Sequence, residues 1–87
     1  MSTRPLQVAG TVLDSAGRPA AGATVMWVQG PVALPEVALL TQADGGFVMS
    51  APVAGHYTLV CRRDPGGLAR MEIDVGSQGA RVTVRLS

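Results

Sequence analysis

Lysine and asparagine are absent from this 87-residue chain, and cysteine, histidine, tryptophan, tyrosine and phenylalanine occur once each. All positive charge is therefore arginine, seven residues against six carboxylates, for a net charge of +1. A nucleic-acid binder needs a concentrated basic footprint and often stacked aromatics, and this composition offers neither. A single cysteine, Cys61, excludes an internal disulfide and leaves the redox compartment open. No run of about 18 apolar residues occurs, which excludes a helical membrane span. In the opening "MSTRPLQVAGTVLD", Gln7, Gly10 and Thr11 interrupt the apolar run that a signal peptide requires, so conventional secretion is not expected and the compartment stays unassigned.

What the chain does have is apolar surface: 47% hydrophobic residues against 15% charged. A chain so composed can offset its conformational entropy and folds rather than staying disordered. Its length suits one domain over residues 1–87, with residues 1–5 expected as a loose N-terminal arm.

Hydrophobicity alternates with period two, and no helical stripe extends beyond a turn or two. In "ARVTVRLS", Val82, Val84 and Leu86 oppose Arg81, Thr83 and Arg85; in "RMEIDV", Met71, Ile73 and Val75 oppose Glu72 and Asp74. Further inward-facing sets are Tyr57, Leu59 and Cys61 in "HYTLVCRR", Phe47 and Met49 in "FVMS", and Ala23, Val25 and Trp27 in "ATVMWV". Leu6, Val8 and Val12 belong to "LQVAGTVLD", and "VALLTQA" completes seven strands. The segments between them, such as "SAGRPAAG", "DGG", "APVAG", "DPGG" and "GSQG", carry residues that pre-set turns. Seven short strands at this spacing predict an all-β, seven-stranded sandwich.

The stretch "TQADGGFVMSAPVAGHYTLVC", residues 41–61, collects the chain's rarest residues and invites a search for chemistry. Asp44 beside Gly45 and Gly46 has the form of a calcium ligand, but calcium needs six to eight oxygens and nearby carboxylates are few; a β-hairpin turn is the expected role. Cys61 shares the parity of Tyr57 and Leu59 and reads as a small buried residue rather than a nucleophile. His56, out of phase with Tyr57, faces away from the core, and no orienting partner or nucleophile stands near it in sequence. Tyr57 suits a corner in a Greek-key sandwich, its ring buried and its hydroxyl returned to the backbone of a connection. "DSAGRPAAGA", with Asp14, Gly17, Pro19 and Gly22, stops one strand and restarts another; no helix follows it, so it is not a phosphate loop.

These residues in this order resemble the carboxypeptidase regulatory-like domains. The resemblance runs over residues 8–86: Gly10 and Val12, the Asp14-x-x-Gly17-x-Pro19 turn, Gly22-Ala23-x-Val25, Asp44, Gly46 and Phe47, and the Gly55-x-Tyr57-x-Leu59 corner. It implies a transthyretin-like, immunoglobulin-like Greek-key sandwich, with no catalytic, cofactor-binding or metal residues to carry over, because the shared positions are turn and core residues. Related hydroxyisourate hydrolases use several histidines and a C-terminal Tyr-Arg-Gly-Ser, whereas this sequence holds one histidine and closes on "VRLS". Related adhesin sandwiches weld lysine to asparagine, which is chemically impossible here.

What remains for function is contact. Residues 30–40 form an apolar connection with two prolines, either packed over a sandwich edge or offered to a partner. Arg62, Arg63, Arg70, Arg81 and Arg85 lie on the late strands, as a modestly basic face or, by preference, as a solvated face balanced by Glu72 and Asp74. The expected function is a non-catalytic structural or protein-binding module working through sheet edges and the 30–40 loop. Resembling domains occur beside catalytic domains, in surface and secretion machines and as adaptors on secretion spikes. The alternative, a carbohydrate-binding module, would need exposed aromatics, and Trp27, Phe47 and Tyr57 are all expected in the core.

Overall fold

The computed structural model describes residues 5–34, 38–64 and 67–87. Among them the chain forms seven strands: β1 (Leu6–Leu13), β2 (Thr24–Gln29), β3 (Ala38–Leu40), β4 (Gly46–Ala51), β5 (Gly55–Arg62), β6 (Leu68–Val75) and β7 (Ala80–Arg85). They build two facing sheets, one ordered β4-β1-β7 and the other β3-β2-β5-β6. This is the expected all-β sandwich, and the inward residues of each strand are those the alternation selected. The arm expected over residues 1–5 falls outside the described residues, apart from the exposed Pro5.

In the three-stranded sheet β1 is central, antiparallel to β4 and parallel to β7. Its alternation places Val8, Gly10 and Val12 inward, with both valines fully buried. Gly10 is there because Phe47, directly across the ladder, lays its ring over it. A Cβ on Gly10 would stand 2.6 Å from Phe47 Cε1 and 2.9 Å from Val82 Cγ2.

In the four-stranded sheet, Val25, Trp27, Tyr57, Leu59, Cys61, Ile73 and Val75 face the core and meet Val8, Val12, Phe47, Met49 and Val84 from the other sheet. Trp27 bridges the two layers, since its indole Nε1–H donates to the Ser50 carbonyl of β4 at 3.0 Å. A buried indole must place its one donor, and this bond satisfies it while setting the two sheets against each other.

Two connections differ from the sequence expectation. The strand expected over "VALLTQA" is only three residues long, because Thr41 turns away to serve the 14–23 connection instead. Its hydroxyl donates to Ala20 O at 2.5 Å and accepts from Ala23 N–H at 2.9 Å, while its backbone exchanges bonds with Gly22 and Ala23. The Asp44-Gly45-Gly46 turn does reverse the chain, with Gly45 at φ +77°. The strands it joins, however, are not hairpin partners: β3 lies in one sheet and β4 in the other. A bond from Val12 N–H to Gly45 O at 2.8 Å fastens this arch to β1.

Candidate functional site

The distinctive residues of the 41–61 stretch other than His56 have structural reasons. Asp44 Oδ1 accepts from Gly46 N–H at 2.8 Å, so the carboxylate closes its own turn. Asp14 does the same in the first connection, where Oδ1 accepts from Ala16 N–H and Arg18 N–H, both at 2.9 Å. The Arg18 backbone bond is the main reason that the Asp14 carboxyl is held below its ordinary range. Tyr57 is fully buried; its hydroxyl donates to Val53 O at 2.6 Å and accepts from Val53 N–H at 3.3 Å. That is the corner expected of it, with a ring stacked obliquely on Trp27 at a centroid distance of 4.8 Å. Gly55, at φ +153°, admits the chain to this corner, and a Cβ there would meet Pro31 Cγ at 2.8 Å.

Cys61 is fully buried, and the loss of hydration pushes its thiol up to about 11. The thiol therefore stays protonated near neutrality. Trp27, Phe47 and Tyr57 are all buried, so the three aromatics of the chain provide no sugar-stacking platform.

His56 behaves differently from expectation. It is exposed, as its parity requires, but it has partners that the linear sequence does not announce. β5 and β6 pair so that His56 lies opposite Asp74, with Glu72 two residues along the same strand face. The ring Nδ1 stands 2.7 Å from Asp74 Oδ1 and Nε2 stands 3.1 Å from Glu72 Oε1. Carboxylates only accept, so both bonds are satisfied together only when the imidazole carries two protons. The Asp74 bond, then the Glu72 bond, accordingly raise the affinity of the ring for its proton. The carboxylates lie against opposite ring nitrogens and do not converge with the ring on one point. Among the described residues no group of three or more His, Cys, Asp or Glu side chains is placed to hold a metal ion.

The remaining exposed groups are spread over sheet edges and outer faces. Leu40 on β3, Leu68 on β6 and Val48 on β4 are 70%, 56% and 54% exposed, and each belongs to a strand at the edge of its sheet. Val32 in the 30–40 connection, Val53 before β5 and Val28 at the β2 bulge are also exposed. That connection is divided: Leu34 packs onto the core while Val32 faces out, and residues 35–37 lie outside the described part. The late arginines do not form one face. Arg62 and Arg70 stand on the four-stranded sheet, whereas Arg81 and Arg85 stand on β7 in the other layer. The balancing role expected of Glu72 and Asp74 also changes, since both engage His56.

The fold, its two Asx turns and its tyrosine corner define a transthyretin-like, immunoglobulin-like β-sandwich whose distinctive residues are spent on architecture. The family model described as carboxypeptidase regulatory-like domain matches residues 7–87, and the chain belongs to that family of non-catalytic β-sandwich modules. No curated protein matches it. Among the described residues no helix is long and apolar enough to cross a membrane.

Proposed function

We propose that this chain is a structural or protein-binding module, an adaptor or building block within a larger assembly, without catalytic, cofactor or metal residues of its own. The observation that carries this reading is the placement of its exposed large apolar side chains. Three of them, Leu40, Val48 and Leu68, stand on three different edge strands, and Val32 extends the set into the 30–40 connection. Edge strands offer unpaired backbone donors and acceptors as well, so an apolar side chain there adds to a surface already disposed to recruit another chain. The family relationship supports the reading, because the positions that carry the resemblance are turn and core residues and the family is one of non-catalytic β-sandwich modules.

The test is site-specific photo-crosslinking in the native host, with the reactive amino acid at Leu40 or Val48 and, as a control, at Thr11 on the outer face of the central strand β1. The expected result is a product of defined mass from the edge positions and none from the control. An equal, diffuse pattern from all three positions would remove the edge-binding reading.

A further inference from the structure

We infer that the free edge of β6 pairs antiparallel with β6 of a second copy of this chain, joining the two four-stranded sheets into one. β6 is an edge strand of its sheet and pairs with β5 over eight residues without a register break. The bond from Arg63 N–H to Gly67 O at 3.0 Å fixes the phase of that ladder. Backbone groups alternate between the two flanks of a strand, so Ala69, Met71, Ile73 and Val75 turn theirs toward β5. Leu68, Arg70, Glu72 and Asp74 turn theirs to the open side. Leu68 O confirms the phase, since it accepts from Ser87 N–H at 3.2 Å and from the Ser87 hydroxyl at 2.9 Å, and Ser87 follows β7 rather than β5. Ser87 thus closes the edge at Leu68, whereas no bond among the described residues reaches the open-side backbone groups of Arg70, Glu72 and Asp74. β7 does not cover them, because a groove lined by Ala69, Met71, Thr83 and Val84 separates it from β6.

The other edges are less suited to pairing. β3 is only three residues long. On β4, Asp44 Oδ1 and Gln42 N–H take the N–H and C=O of Gly46, and the Trp27 indole takes Ser50 O. β7 carries Arg81 and Arg85 with no carboxylate to answer them. β6 presents both signs of charge on one face, and their order selects the partner and the register. A two-fold axis at Met71 sets Arg70 opposite Glu72 of the second copy and repeats the pair by symmetry. Each such pair also exchanges both backbone bonds. One carboxylate oxygen of Glu72 meets His56, which leaves the other for the arriving guanidinium. On the inner side Met71, half-buried, meets Met71 of the second copy. A slide of two residues either way sets Glu72 on Glu72 or Arg70 on Arg70, and parallel in-register pairing sets every charge on its like. Charges on an edge ordinarily keep strands apart, and here they oppose the neighbouring registers while favouring this one. A single edge buries less than the roughly 800 Å² per partner of a standard interface, so the dimer is weak and reversible and counts where an assembly already holds copies close together.

The proposal rests on the protein-binding reading and deepens it, but the two fail separately. A chain that stays monomeric yet cross-links to another protein through Leu40 or Val48 removes this proposal and leaves the other intact. The experiment is sedimentation velocity on the full chain up to millimolar concentration. It compares the unaltered protein with Arg70→Glu, with Glu72→Arg, and with the double variant Arg70→Glu/Glu72→Arg. The expected result is a concentration-dependent dimer, weakened about fivefold or more in each single variant, where like charges face each other, and restored in the double variant, where the pair is reversed but still opposite. Arg70 and Glu72 are exposed, and circular dichroism checks that the variants fold. A second arm uses Met71→Cys, whose thiol faces its own copy across the axis at the Cα separation of about 4.5 Å of a non-hydrogen-bonded pair. Mild oxidation is expected to link that variant into a dimer, and Thr11→Cys on β1 is the control. Should a charge variant not fold, the cysteine arm carries the test. A strict monomer, a dimer indifferent to the single reversals, a double variant as weak as the single ones, or Met71→Cys linking no better than Thr11→Cys would each overturn the proposal.

Discussion

Tyr57 shows how much a single side chain contributes to the order of this molecule. Its ring fills the space between Trp27 and the backbone of Gly30, and its hydroxyl holds Val53 by both backbone groups. Tyr57→Phe keeps the packing and loses the corner bonds, at about 1 kcal/mol. Tyr57→Ala also opens a cavity, at about 3–5 kcal/mol. Urea denaturation of both variants measures the difference, and equal, negligible losses would refute the corner role. His56 makes a different prediction. Its ring binds a proton more readily in the folded chain than the ordinary histidine value of about 6.5, through Asp74 first and Glu72 second. A histidine raised on folding contributes stability in full below its unfolded value and loses it as pH rises through its folded value. All three groups are exposed, so the contribution is small. An NMR titration is expected to place the His56 midpoint above the ordinary value, and Asp74→Asn to lower it more than Glu72→Gln. A midpoint at or below the ordinary value would remove the clamp.

Among the elements, the short β3 and the arch that follows it are held by side-chain chemistry rather than by ladder length. Thr41 is buried, and its hydroxyl joins the first connection at Ala20 and Ala23. Thr41→Val preserves shape but leaves the Ala23 N–H and Ala20 C=O without that partner, at a cost of about 1–3 kcal/mol. Thermal and urea unfolding of Thr41→Val and Thr41→Ser check this, since serine keeps the hydroxyl and restores most of the loss. Legibility differs between neighbouring elements for the same physical reason. Asp44, Gly45 and Gly46 mark a tight turn from sequence alone, because the Asx bond and the positive φ are local. That β3 and β4 then enter different sheets depends on Thr41 binding residues about twenty positions earlier, which no local pattern encodes.

For the molecule as a whole, 87 residues imply a stability on the order of 4–13 kcal/mol, and the core is one connected cluster joined across the sheets by Trp27. Loss of one layer exposes the other, so the core is expected to unfold in a single step. Cys61 reports on this: its buried thiol should resist alkylating reagents in the native protein and react at the rate at which the core opens. Labelling kinetics compared with Trp27 emission across a urea series test this, and rapid labelling in native buffer would contradict it. The amino-acid order alone determined the strands other than the shortened β3, their inward residues, the tyrosine corner and the positions of the tight turns, because side-chain alternation, proline and glycine act on their own few residues. Only the tertiary structure decided which strands share a sheet. That partition sends Arg62 and Arg70 to one layer and Arg81 and Arg85 to the other, and the pairing of β5 with β6 draws Asp74 and Glu72 to His56. Strand pairing is a contact between distant residues, and its free energy comes from the whole packed sandwich rather than from any stretch of it.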